Sequence, residues 1–215
     1  MIPRSLILDL DGTLIDSRPG ILDSFAVAVN AVFPGMEFDP ATVVLGPPIR
    51  LMFQVSFPNA IEMERERLFR AFREHYDREG SLKTQLYDGA REVLFLCEQR
   101  GIDLFIATNK PAHISSAILA HFNISHYFRS VLAADSVAPP FPSKTAIIEQ
   151  LLLENELDIL TTFYVGDSVE DAVAARQCGV PFIWAAYGYG KLDVGATMPP
   201  LGAIKTLGEL TGYLG

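Results

Sequence analysis

The stretch LILDLDGTLIDS, Leu6 to Ser17, is an apolar run that carries Asp9 and Asp11 where a strand should be ending. On an extended chain, side chains at that spacing point to the same face. Like charges held so close repel, so one is protonated unless a cation or a strong donor sits between them. The pair therefore costs stability and marks a place where something else is gained. A strand-end cap is the plainer reading. A calcium loop is excluded, because it needs a glutamate at its twelfth position and Gly20 stands there.

Three further segments put polar groups where strands should end: Thr108-Asn109-Lys110, Ser143-Lys144, and Gly166-Asp167-Ser168-Val169-Glu170-Asp171. Each alone has a plainer reading. Thr108 and Asn109 precede Pro111 and suit a helix start. Lys144 suits a solvated helix surface. Ser168 suits an N-cap, with Glu170 or Asp171 closing a capping box. That cap accounts for one carboxylate and not for all of them. In open α/β sheets ligands bind beyond the carboxyl ends of the strands, where strand order reverses. With the first strand central and the strand ending at Asp167 beside it, these carboxylates meet in one crevice. Oxygen-rich sites of that kind select hard cations, Mg²⁺ foremost, and a cation relieves the repulsion.

The elements that must position these groups are legible. Strand-like apolar runs fall at Leu6–Leu10, Ile102–Thr108, Ser130–Ala134, Thr162–Val165 and Pro181–Ala185. Helical patterns lie between them at Gly89–Arg100, Ala112–Phe122, Ser143–Glu154 and Ser168–Cys178. Continuous apolar strands alternating with helices predict an α/β fold, a parallel sheet covered on both faces. From Asp16 to Lys83 only helices are expected: Pro19–Phe33, Pro48–Phe57 and Asn59–Arg78, the last with Ile61, Leu68, Phe69 and Phe72 as its apolar stripe. This reads as an all-helical insertion, residues 16–83, acting as a lid on a core formed by 1–15 and 84–215.

Composition narrows the function classes. The chain has 215 residues, 49% hydrophobic and 20% charged, enough for a real core. Its net charge of −9 disfavours a nucleic-acid or anionic-membrane binder and means that an anionic substrate is attracted locally. No run approaches the ~20 apolar residues of a membrane span. The first residues do not read as a signal peptide, and Cys97 and Cys178 form no pair motif, so a cytoplasmic protein with reduced thiols is expected. The four histidines, 75, 113, 121 and 126, show no ligand pattern. Tyr187–Lys191, YGYGK, lacks the spacing of a dinucleotide loop.

Taken together, the four segments resemble the haloacid dehalogenase superfamily along essentially the whole chain, with its DxDGT signature at Asp9–Thr13. DSRPGILDSF after that motif, GPP at Gly46–Pro48, YDGA at Tyr87–Ala90, ATNKP at Ala107–Pro111 and GDSVED are similar to its phosphoglycolate-phosphatase-like branch. One departure is that Lys144 follows the prolines of APPFPSKTAII, where the branch often has the lysine before them. The resemblance implies a Rossmann-like core with a helical cap inserted after the first strand.

It also implies a reaction: Mg²⁺-dependent hydrolysis of a small phosphate monoester, phosphoglycolate or similar, through an aspartyl-phosphate. Asp9 is the expected nucleophile. Asp11 is the acid and then the base, its pKa expected to be raised by a neighbouring carboxylate. The expected metal ligands are Asp9, the Asp11 carbonyl and Asp167, with Asp171 either a supplementary ligand or a group just behind the ligands. Thr108, the Asn109 amide and Lys144 are expected to hold the phosphoryl group. Gly46, Pro47 and Pro48 match the position of a specificity loop, and Arg50 beyond them suits an anionic substrate group. The alternatives are a sugar phosphomutase, a nucleotidase or a pyrophosphatase on the same scaffold, or an idle regulatory protein. The last would have lost Asp9, Asp11, Lys144 or Asp167, and all four are present. Neither the physiological ester nor the oligomeric state is legible.

Overall fold

The structure is a computed structural model that describes residues 2–192 and 199–215. It divides into two compact units, 1–16 with 86–215, and 17–85. The boundaries fall slightly C-terminal of the expected 16–83.

In the larger unit, β1 (Ser5–Leu8) is buried at every position, because it is covered on both faces. Two short strands, β2 (Ile15–Asp16) and β3 (Gln85–Leu86), pair with each other. The main sheet adds β4 (Asp103–Thr108), β5 (Phe128–Ala133), β6 (Thr162–Gly166), β7 (Phe182–Ala185) and β8 (Gly202–Ile204). Its order is β5-β4-β1-β6-β7-β8, parallel throughout. β5 starts at Phe128 rather than Ser130, and β8 had no counterpart among the expected strands.

Within the inserted unit, α1 (Arg18–Val32), α2 (Ile49–Ser56) and α3 (Glu62–Arg78) surround an aromatic core. Phe25 stacks on Phe53 at 4.0 Å between centroids, and Phe72 meets Phe53 edge-on at 6.0 Å. Leu68 and Phe72 of the expected stripe are buried, and Tyr76 extends it. Ile61 is exposed, because α3 starts one residue after it.

Four more helices clothe the sheet: α4 (Ala90–Gln99), α5 (Ala112–His121), α6 (Lys144–Glu154) and α7 (Val169–Cys178). Ile147, Ile148 and Leu151 of α6 and Ala172 and Ala175 of α7 share one core with Ile7, Phe105 and Tyr164 of the strands. Leu6, Leu8, Leu104 and Ile106 alternate with those strand residues and so face the other side, where Val93, Leu94 and Ile118 are buried on α4 and α5. Burial on both faces holds the strand ends, and the polar residues that follow them, in fixed register.

Candidate active site

β1 pairs with β4 on one side and β6 on the other, Leu8 opposite Ile106 and Val165. Strand order reverses between β1 and β6, which makes this the switch point of the sheet. Asp9 follows β1 directly, its N–H donating to the Val165 carbonyl at 2.9 Å. Asp167 follows β6, and Thr108 closes β4. Carboxylate oxygens of Asp9, Asp167 and Asp171 all lie within 4.8 Å of one another.

Lys144 enters this cluster from the first turn of α6, where Ser143 Oγ caps the helix by accepting from the Ala146 amide at 3.2 Å. Its Nζ donates to Asp9 Oδ1 at 2.5 Å and to the Ala107 carbonyl at 3.3 Å, and lies 3.2 Å from Asp171 Oδ1. Only 3% of Lys144 is exposed, so it is no surface lysine. Asp171 serves two ends at once. It closes the capping box of α7, accepting from the Ser168 amide and hydroxyl at 3.0 and 2.6 Å, while Tyr164 Oη donates to it at 2.6 Å. Both Asp171 oxygens are therefore engaged. It is a partner of Lys144 and also one of the three carboxylates grouped where a metal ion could be held.

The electrostatics follow from this packing. Burial pushes the Asp9 carboxyl well above the usual range; Lys144 opposes the shift, and Asp171 and Asp167 reinforce it. Burial works against the Lys144 charge as well, but Asp171 and Asp9 outweigh it and hold the ammonium above the ordinary lysine range. For Asp171, burial is outweighed by Lys144 and the Ser168 and Tyr164 hydrogen bonds, so its carboxyl lies below the usual range. Burial lifts the Tyr164 phenol far above its usual value, and it stays a donor. Lys144 thus brings one positive charge to two buried carboxylates, Asp9 and Asp171. The grouped oxygens of Asp9, Asp167 and Asp171 suit a hard cation, whose charge would reverse the upward shift of Asp9 and Asp167.

Asp167 is cradled by the Tyr187–Lys191 stretch. The amides of Tyr189 and Gly190 donate to Asp167 Oδ2 at 2.6 and 3.0 Å. The glycines permit that approach: a Cβ on Gly188 would strike the Asp167 side chain and the Gly12 carbonyl, and one on Gly190 the Asp167 carbonyl. Tyr187 Oη donates to the Thr13 carbonyl at 2.6 Å, Tyr189 Oη to Asp16 Oδ1 at 2.8 Å, and Trp184 Nε1 to the Asp167 carbonyl at 3.2 Å. Burial, opposed by these amides, leaves the Asp167 carboxyl at about 6.

Asp11 has a neighbour of the opposite sign to the one expected. Lys110 Nζ donates to its two oxygens at 2.9 and 3.1 Å. Thr108 Oγ1 accepts from the Lys110 amide at 3.1 Å, and Asn109 Nδ2 donates to Glu170 at 3.0 Å. Lys110 and the Tyr187–Lys191 stretch were noted in the sequence without a role at the site, and Tyr164 was not noted at all. The lysine of TNKP and the alternating glycines of YGYG were the available signals; Tyr164 offered none, since a strand tyrosine looks like core.

In the inserted unit, Gly46 adopts φ +109° and leads through Pro47 and Pro48 into α2. Arg50 pairs with Glu66 and lies 3.9 Å over the Phe69 ring.

A profile of the haloacid dehalogenase-like hydrolases matches residues 6–185. The chain belongs to that family. A phosphoglycolate phosphatase of Xanthomonas campestris is 30% identical over 194 residues, covering 87% of this chain and 85% of the relative. One from Pseudomonas fluorescens is 28% identical over 197 residues, covering 87% and 71%. Among solved structures, protein tyrosine kinase A of Mycobacterium tuberculosis superposes with a TM-score of 0.83 at 31% identity, covering 100% of this chain and 99% of that one. The chain is thus an enzyme of this hydrolase family, related to members named for phosphatase and for kinase activity. Among the described residues no helix is long and apolar enough to cross a membrane.

Proposed function

We propose that this enzyme hydrolyses a small phosphate monoester, phosphoglycolate or a similar metabolite, through an aspartyl-phosphate on Asp9, with Mg²⁺ as cofactor. The observation that carries the reading is the buried Lys144 reaching Asp9 beside Asp167, with Asp11 two residues along the chain. The Asp9 and Asp167 carboxylates and the Asp11 carbonyl would hold Mg²⁺, whose charge would offset the repulsion between the nucleophile and the phosphoryl oxygens.

An Asp9 oxygen attacks phosphorus as the ester P–O bond breaks, and Asp11 gives its proton to the leaving alkoxide. Water then attacks phosphorus and gives its proton to Asp11, the Asp9–phosphorus bond breaks, and phosphate leaves. Thr108 donates its hydroxyl hydrogen, Asn109 its amide and Lys144 its ammonium to the phosphoryl oxygens. Positioning and charge stabilisation are the main means of phosphoryl-transfer catalysis. An aspartate at position 11 fits an alcohol leaving group, which needs a proton, better than a halide, which does not. We assign substrate choice to the inserted unit, to Gly46–Pro48 and Arg50, and the site of action to a reducing cytoplasm, which suits the free Cys97 and Cys178.

The likeness to a tyrosine kinase supports a second reading, in which a protein hydroxyl replaces water as the final acceptor. Following the phosphoryl group decides between them. A labelled panel of sugar phosphates, phosphoglycolate, nucleotides and pyrophosphate should yield free phosphate. Retention on the sugar would mean a mutase, and label on protein tyrosine a kinase.

A further inference from the structure

Lys110 makes the closest charge contact of the site that the proposed chemistry leaves unused. Its side chain is 5% exposed, while that of Asp11, 2.9 Å away, is 27% exposed. Its backbone is pinned on both sides of the residue. The Lys110 amide donates to Thr108 Oγ1 at 3.1 Å, and Ser115 Oγ of α5 donates to the Lys110 carbonyl at 3.4 Å. One buried ammonium thus contacts both oxygens of a partly exposed carboxylate and restrains its two side-chain torsions.

We propose that Lys110 is a positioning residue that holds the Asp11 carboxylate as the base of the second half-reaction; this rests on the aspartyl-phosphate reading above. Once Asp11 has given its proton to the leaving alkoxide it must take one from water, and the Lys110 contacts at 2.9 and 3.1 Å reach both of its oxygens. In that step a water oxygen bonds to phosphorus, its proton passes to Asp11, and the bond from phosphorus to Asp9 breaks, releasing phosphate and the Asp9 carboxylate. Lys110 neither gains nor loses a proton. It fixes where the accepting oxygen stands.

The test uses the ester that the wild type cleaves fastest, radiolabelled in its phosphoryl group, with acid-quenched enzyme counted for covalent phosphate. Acid–base groups contribute typically about 10²–10⁴-fold, so loss of positioning alone in Lys110→Met should lower kcat by about tenfold. The share of enzyme trapped as phosphoenzyme should rise several-fold at the same time, because breakdown is the step that slows. In an Asp11→Asn background, Lys110→Met should cost nothing further. Lys110→Arg, which keeps the charge, should recover most of kcat. A fall in kcat without accumulation of phosphoenzyme overturns the proposal, as does an undiminished effect in the Asp11→Asn background. Should Lys110→Met not fold, a Lys110→Arg variant whose kcat falls with no extra phosphoenzyme overturns it equally. A wild type that cleaves no ester defeats the phosphatase reading itself, and that failure is seen before any variant is made.

Discussion

Lys144 Nζ lies 2.5 Å from Asp9 Oδ1, deep enough that both side chains are less than a tenth exposed. Lysine is also 3.2 Å from Asp171, so one ammonium serves two buried carboxylates. Removing one partner of a buried pair typically costs about 3–5 kcal/mol, because the remaining charge is left uncompensated. Lys144→Met should therefore lower stability by about that much, measured by urea unfolding, and should abolish phosphate release. A variant as stable and as active as the wild type would contradict the arrangement.

Burial lifts the Asp167 carboxyl to about 6, against about 3.9 for an ordinary aspartate. Between those values the folded state carries a proton that the unfolded state has lost. The unfolded state binds fewer protons, so the stability of the metal-free protein should fall as pH rises through that window. Asp9, shifted in the same direction, adds to the trend. Mg²⁺ needs the ionised carboxylates, so its stabilisation should be small at low pH and grow as pH passes about 6. Thermal unfolding with Mg²⁺ and with chelator, at about pH 5 and about pH 7.5, checks this. Equal Mg²⁺ stabilisation at both would contradict it.

Gly190→Ala would drive a Cβ into the Asp167 carbonyl and displace the amides that hold the carboxylate. Loss of groups that orient a metal ligand typically costs about 10–100-fold in affinity, and Mg²⁺ titration of the variant should show a loss in that range. Wild-type Mg²⁺ affinity in a folded Gly190→Ala protein would show that the loop has no such role.

Much of this was legible because the relevant residues sit at the ends of strands with strong patterns. The apolar runs at Leu6–Leu10 and Thr162–Val165 became adjacent parallel strands, and the carboxylates after them met as the switch-point rule requires. The capping box expected of Ser168 and Asp171 is present, and it orients Asp171 toward Lys144. Other features were not legible, for physical reasons. β8 is three residues long and pairs at the sheet edge, too short for periodicity to show. The charge facing Asp11 depends on bringing Lys110 across from β4, a contact ninety-nine positions apart in the chain. The glycines of YGYGK signalled close backbone approach, but only the fold reveals that Asp167 is what they approach.

Phosphate release from a panel of monoesters, with Mg²⁺ and with chelator, for the wild type and Asp9→Asn, tests the central claim most directly. The account predicts Mg²⁺-dependent release by the wild type and none above background by Asp9→Asn, which stays folded and keeps its burial without the negative charge. Release that survives in Asp9→Asn, or a folded, Mg²⁺-binding wild type that cleaves no ester, would contradict it.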